Sequence, residues 1–183
     1  MEKWKAQVNT TLAELFLRHE KVVIVAHSMG TLFAIQAAID HPDKIPALFL
    51  LSIPTRPWVR LSTAVTAIKI AFGRLGSPAA QAMRGETALE LTPKLWTYIG
   101  WVPRMIELLQ ECSRVRKLLP QLAVPAQAYQ SKVDELVSVS SCKDWEDHPF
   151  IQTTLLTNSG HFVYGQEDAA FLRKQLSEML EKI

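Results

Sequence analysis

The length, composition and charge of the chain limit the classes of protein to which it can belong. It has 183 residues, of which 48% are hydrophobic and 21% charged, and a formal net charge of +2. These values are typical of one globular domain and exclude a disordered, collagen-like or disulfide-rich chain. The near-neutral balance also argues against a nucleic-acid binder, for which a strongly basic face is expected.

Cysteine usage and the distribution of apolar residues indicate the compartment. The two cysteines, Cys112 and Cys142, form neither a C-x-x-C motif nor a cluster of metal-ligand spacing, so we expect plain small side chains and no metal site. The N-terminal segment lacks the apolar core of a signal peptide, and the densest apolar run, residues 45–54, is too short to cross a bilayer. We therefore expect a cytoplasmic protein without stable membrane insertion.

The first part of the chain has the pattern of helix, strand, helix, strand. Apolar residues recur at helical spacing over residues 4–16, and a continuous β-branched run at residues 21–26 predicts a buried strand. Residues 29–40 again have helical spacing and end at a proline-containing turn. The apolar run at residues 46–52 predicts a second strand.

The middle of the chain, residues 56–119, has a different pattern. It consists of helical segments broken at Gly and Pro, and residues 56–117 carry a net charge of +6 while the remainder carries −4. A helical insert in an α/β domain is the simplest interpretation. Its basic residues form either a solvated face, which we prefer, or a surface for anionic substrates.

After the insert, residues 125–130 and 153–157 predict two more strands, and residues 167–181 predict an amphipathic helix. Apolar strands that alternate with helices predict a parallel sheet covered on both faces. The predicted organisation is therefore an α/β core of residues 1–55 and 120–183 with a helical insert of residues 56–119.

The segment that bears most on function is VVIVAHSMG, residues 22–30, in which a strand runs into a helix. Ala26-His27-Ser28-Met29-Gly30 matches the G-x-S-x-G nucleophile elbow with Ala in place of the first Gly. Small residues two positions to either side of Ser28 are needed because the tight turn brings strand and helix together. In this interpretation the backbone N–H of Met29 donates to a developing oxyanion. The alternative is that Ser28 only caps the helix.

A nucleophilic serine needs a histidine base and an acid, which follow it in the order acid, then histidine, in this kind of fold. His161 is the better candidate for the base, because it follows a predicted strand through a turn at the carboxyl edge of the sheet. His148 lies in a polar run and is the alternative, and His161 could also merely fill a polar loop. His27, beside Ser28, is expected to pack near the site and not to act as a base.

The acid should lie just after the strand that precedes the histidine strand, and Asp134 follows residues 125–130 as required. Glu135, Asp144 and Asp147 are nearby carboxylates, of which the last two fall in what is predicted as the next helix and its exit. Asp134 is the preferred candidate.

The segments AHSMG, SKVDELVS and NSGHFVYGQED resemble the elbow, acid and histidine loops of the α/β-hydrolase superfamily. SIPTRPW and QSKVDELVS resemble in particular its bacterial carboxylesterase and monoacylglycerol-lipase-like branch. The resemblance implies an α/β-hydrolase fold with a small helical cap, and a Ser-Asp-His hydrolase that cleaves carboxylic esters of short to medium acyl chains without metal or organic cofactor. The candidates for contact with substrate are His27, Trp58, Trp96 and Trp101, although such residues can equally form the cap's own core.

The same three residues would also serve a thioesterase or an acyltransferase, and an incomplete hydrolase scaffold could instead act as a binding module. Members of the superfamily usually carry further strands before the helix that leads to the elbow, whereas this chain begins at that helix. We therefore expect an N-terminally truncated sheet without the loop that supplies the second oxyanion donor. The strand at residues 22–26 would then expose an apolar edge to self-association or to a partner chain.

Overall fold

The computed structural model describes residues 1–57 and 99–183. The helices within these ranges are α1 (Glu2–Arg18), α2 (Met29–Asp40), α3 (Trp101–Leu118) and α4 (Gln166–Leu180). The strands are β1 (Ile24–His27), β2 (Leu48–Leu51), β3 (Ala126–Ser131) and β4 (Ile151–Leu156). Two 3-10 helices, Leu119–Gln121 and Val139–Asp144, lie in the connections.

The four strands form one parallel sheet in the order β1-β2-β3-β4. In the register, His27 lies opposite Leu51, which in turn lies opposite Tyr129, so β1 and β2 end level while β3 extends two residues further, to Ser131. The loops that follow these strands therefore converge at one edge of the sheet, where open α/β sheets bind their ligands.

Both faces of the sheet are buried, as the alternation of strands and helices predicted. On one face Leu48 and Leu50 join a core formed with α1, α2 and α3, and on the other face Phe49 packs with Leu172 and Met179 of α4. The alternation of Leu48, Phe49 and Leu50 between the two faces follows from the two-residue period of a strand. Each such side chain, once buried, stabilises the fold by about 1.5–3 kcal/mol.

Most of the predicted cap, residues 56–119, lies outside the described residues, and so do Trp58 and Trp96. Helix α3 belongs to this section, and its second half packs through Cys112 and Val115 into the core on the α2 side of the sheet. Trp101, at the amino end of α3, is 48% exposed. The division into core and cap stays a prediction.

The outer edge of β1 is open in the part of the chain that the structure describes. Ile24 and Ser28 donate their backbone N–H groups toward β2, so the alternation of the strand turns the backbone polar groups of Val25 to the other side. Val25 is 51% exposed, and a cavity of about 530 Å³ runs along this edge between α1 and α2. Among the described helices, none is both long enough and apolar enough to span a membrane.

Candidate active site

Ser28 lies at the turn between β1 and α2 in a strained backbone conformation, as the predicted elbow requires. Its φ of 52° and ψ of −127° fall in a region that non-glycine residues rarely adopt. Ser28 is the residue that precedes α2, yet its side chain makes no capping hydrogen bond to the helix. The backbone N–H of Met29 belongs to the first turn of α2, whose donors have no partner within the helix. The alternative that the Ser28 hydroxyl caps the helix is therefore wrong.

The structure brings Ser28, His161 and Asp134 together although they are far apart in sequence. Nε2 of His161 lies 2.9 Å from Oγ of Ser28, and Nδ1 of His161 lies 3.0 Å from both carboxylate oxygens of Asp134. His161 and Asp134 are buried, whereas Ser28 is half-buried. This order of contacts allows a neutral imidazole to donate to Asp134 and to accept the hydroxyl proton of Ser28.

The Asp134 carboxylate is held by the loop that follows β3. Oδ1 accepts from the backbone N–H groups of Leu136 and Val137 at 2.9 and 2.8 Å, and Oδ2 accepts from the hydroxyl of Ser52 at 2.9 Å. Burial alone raises the pKa of Asp134, but the hydrogen bond and charge of His161 and the two backbone donors outweigh it, so the pKa lies below its ordinary value. The carboxyl group is therefore ionised at neutral pH.

The loop that carries His161 is hydrogen-bonded to the first turn of α4 and also contains an internal hydrogen bond. The backbone N–H of Asn158 donates to Asp168 at 2.9 Å, and the hydroxyl of Ser159 donates to the same carboxylate at 2.7 Å. Within the loop the backbone N–H of Gly160 donates to the carbonyl of Val163 at 2.8 Å. These bonds fix the path of the chain from β4 to α4 and hence the position of His161.

Two further side chains hold the backbone of His161. Oε2 of Glu135 accepts from the backbone N–H of His161 at 2.7 Å, and Nε2 of His27 donates to the carbonyl of His161 at 2.9 Å. The rings of His27 and His161 also lie in contact, with centroids 4.8 Å apart. Burial, together with the charge that His161 can carry, lowers the pKa of His27, so His27 stays neutral beside the site.

The other residues considered from the sequence lie elsewhere or act differently. His148 donates from Nε2 to the carbonyl of Leu119 at 2.9 Å, and Asp144 forms an ion pair with Arg56 at 2.6 Å. Glu135, an alternative acid in the sequence, binds the backbone of His161 and not its ring.

Sequence reasoning missed Ser52. The available signal was a single serine that ends an apolar strand between the elbow strand and the acid strand.

The three candidate residues of the predicted triad lie at the carboxyl edge of the sheet. A cavity of about 730 Å³ lies at the opposite edge, lined by Pro46, Pro125 and Pro149 among others, and contains none of the candidate residues. In residues 1–57 and 99–183 no group of three or more His, Cys, Asp or Glu side chains could hold a metal ion.

Comparison with known proteins agrees with this architecture. The sequence model of the alpha/beta hydrolase fold family matches residues 7–73, which include β1, Ser28 and α2. No curated protein sequence matches the chain.

Solved structures match over nearly the whole chain at low sequence identity. One of the metagenome-derived lipolytic enzymes LipS and LipT is 18% identical, with a TM-score of 0.67 over 98% of this chain and 73% of that chain. The monoacylglycerol lipase of Paleococcus ferrophilus is 15% identical, with a TM-score of 0.65 over 98% and 75% of the two chains. A thioesterase domain from the curacin biosynthetic pathway is 20% identical, with a TM-score of 0.58 over 94% and 71%. The chain therefore has the α/β-hydrolase fold.

Proposed function

We propose that the chain is a serine hydrolase that cleaves carboxylic esters of short to medium acyl chains through an acyl-enzyme. The observation that carries the proposal is the continuous line of contacts from Ser28 Oγ to His161 Nε2 and from His161 Nδ1 to Asp134. Packing alone does not require a strained serine, a buried histidine and a buried carboxylate to meet at the end of three different strands. Lipolytic enzymes among the similar structures support the choice of esters as substrates.

In the proposed reaction Oγ of Ser28 attacks the ester carbonyl while Nε2 of His161 takes the hydroxyl proton. Asp134 holds the imidazole in the tautomer that can accept this proton and stabilises the imidazolium that forms. The backbone N–H of Met29 donates to the oxyanion, and His161 then protonates the leaving alcohol. Water activated by His161 finally releases the acid from Ser28.

A thioester substrate or an acyl acceptor other than water would use the same three residues. The thioesterase domain among the similar structures supports a thioester as the second substrate class. The two substrate classes are separated by comparing kcat/KM for esters and thioesters of the same acyl chains. Both kinds of substrate form the same acyl-enzyme, so they differ only in the acylation step.

The test is intact-mass analysis after labelling with a fluorophosphonate probe, which reacts with a serine that is activated by its base. We expect one adduct on the parent and on Ser177→Ala, which removes an exposed hydroxyl of α4, and none on Ser28→Ala. Ester hydrolysis should fall in Ser28→Ala by at least about 10³-fold. A folded parent that takes up no probe would contradict the proposal.

The open edge of β1 favours a second candidate, a binding module that accepts a further strand at this edge. Exposed Val25 and the adjoining cavity present apolar surface beside backbone groups that form no hydrogen bond with residues 1–57 or 99–183, which is a template for strand pairing. We propose self-association through β1, with light scattering as the test: the parent should exceed monomer mass and Val25→Lys should not. A monodisperse monomer for the parent would exclude self-association.

A further inference from the structure

Two serines share an unusual backbone conformation. Among the described residues, the only non-glycine residues with a left-handed φ are Ser28, at 52°, and Ser52, at 54°. Ser28 follows β1 and Ser52 follows β2, and these strands are neighbours in the sheet. Such a conformation costs on the order of 1 kcal/mol for a residue with a side chain, and it persists where the surroundings impose it.

The hydroxyls of these two serines contact opposite ends of one buried pair. Ser28 Oγ lies 2.9 Å from Nε2 of His161, and Ser52 Oγ donates to Oδ2 of Asp134 at 2.9 Å. Ser52 is itself only 2% exposed. The His161–Asp134 pair therefore lies between two strained serines, of which Ser28 is the proposed nucleophile and Ser52 has no role in the proposed reaction.

The contacts of Asp134 show what Ser52 contributes. The two backbone donors of the loop, Leu136 and Val137, both bind Oδ1. On Oδ2 the partners besides His161 are Ser52, at 2.9 Å, and the amide of Gln130, which at 3.4 Å is a long and weak donor. Ser52 thus supplies the short bond on Oδ2 that, together with the two backbone donors on Oδ1, opposes rotation of the carboxylate about its Cβ–Cγ bond.

We propose that Ser52 is a positioning residue that fixes the Asp134 carboxylate in the plane in which both oxygens face Nδ1 of His161. Ser52 reaches Oδ2 from the end of the neighbouring strand, with a backbone φ of 54°. The consequence for catalysis rests on the proposed function, whereas the consequence for the Asp134–His161 hydrogen bond does not.

Two substitutions at Ser52 distinguish the effect of its hydroxyl from the effect of its backbone strain. Ser52→Ala removes the hydroxyl and keeps the strain, whereas Ser52→Gly removes both, because glycine adopts a φ of 54° without steric cost. A structural role predicts that the more stable variant, Ser52→Gly, is the more active. A positioning role predicts that both variants lose activity alike although Ser52→Gly has the higher unfolding temperature. Ser141→Ala removes another fully buried hydroxyl, which contacts the backbone of Arg56, and serves as the matched control.

For hydrolysis of a chromogenic ester we expect kcat to fall roughly tenfold in Ser52→Ala and in Ser52→Gly, with KM changed by less than about twofold, since a hydrogen bond to a charged group is lost. When Asp134 is already replaced by Asn, Ser52→Gly should lower kcat no further, because the two residues act through one contact. The proposal would be overturned if kcat were unchanged in Ser52→Gly, or if the double variant lost kcat by the product of the two single losses.

Proton NMR supplies a readout that does not depend on hydrolysis. The Nδ1 proton of His161, shared with Asp134, should give a downfield resonance in the parent and in Ser141→Ala, and should exchange faster with water in both Ser52 variants. A parent that shows this resonance but hydrolyses no ester refutes the proposed function alone. A resonance that is absent from the parent, or unchanged in the Ser52 variants, refutes the positioning role of Ser52.

Discussion

Gly160 and Glu135 provide a test of how firmly the backbone of His161 must be held. A Cβ atom added at Gly160 would lie 2.6 Å from Oε1 of Glu135, closer than Cβ atoms approach other atoms in proteins, and 3.0 Å from Oε2, which is a tight contact. The Glu135 carboxylate is the end of a flexible side chain, so it can swing away at small cost. By moving, it gives up its 2.7 Å hydrogen bond with the backbone N–H of His161. Gly160→Ala should therefore loosen the backbone of His161 and destabilise the fold by no more than that one hydrogen bond contributes.

The magnitude follows from the bond that is lost. A hydrogen bond to a charged group contributes about 1.5–3 kcal/mol, and the lower end applies because Glu135 is only half-buried. A loss of about 1.5 kcal/mol corresponds to a roughly tenfold lower rate of Ser28 acylation in Gly160→Ala and in Glu135→Ala. The double variant should also be slower by roughly tenfold, and not by a hundredfold, because both changes remove the same bond.

The assay is the second-order rate constant for labelling of Ser28 by a fluorophosphonate, measured beside the free energy of unfolding in urea. Gly100→Ala is the matched control, because a Cβ atom added at Gly100, just before α3, would meet no atom within 4 Å. Gly100→Ala should thus leave the labelling rate and the stability unchanged, whereas Gly160→Ala should lower the labelling rate. Losses that multiply in the double variant of Gly160 and Glu135 would refute the reasoning.

Three further predictions concern residues around the site and the core. Because the pKa of His27 is lower in the folded than in the unfolded chain, neutral His27 contributes stability that is complete above about pH 6.5 and is lost as the pH falls through the pKa of the folded state. In urea titrations between about pH 7 and 5, the unfolding free energy of His27→Gln should therefore fall less steeply with pH than that of the parent. Burial raises the pKa of Cys112 and of Cys142 to about 11, so a maleimide at pH 7 should modify them only after unfolding, as mass spectrometry would show. Glu111→Leu, which leaves two basic partners without their buried carboxylate, should lower the unfolding free energy by about 1–2 kcal/mol; an unchanged urea midpoint would contradict this.

The fold could be predicted from sequence because its signals are local. The apolar run that became β2 and the helix signals of α2 and α4 each lie within one segment, and their alternation predicted the parallel sheet and the two buried faces. Ser28, Asp134 and His161 could be proposed for a similar reason, since each follows a strand and the carboxyl ends of parallel strands meet at one edge.

The supporting contacts could not be predicted because they depend on side-chain direction across the folded chain. Ser52 and Asp134 are 82 positions apart, and nothing in the sequence shows that the backbone at Ser52 turns left-handed. Glu135 looked like an alternative to Asp134 because both are carboxylates in one loop. Only the structure shows that Asp134 faces the ring of His161 while Glu135 faces its backbone.

The distribution of burial across the site has a consequence for how substitutions should act. His161 and Asp134 are almost free of solvent contact, so their hydrogen bonds lie in a medium of low dielectric and are stronger than the same bonds in water. Ser28 is the member of the set that keeps some exposure to solvent. Changes at Ser52 or Asp134 should therefore alter the reactivity of Ser28 through the buried hydrogen bonds and not through direct contact with an external reactant, because both side chains are buried.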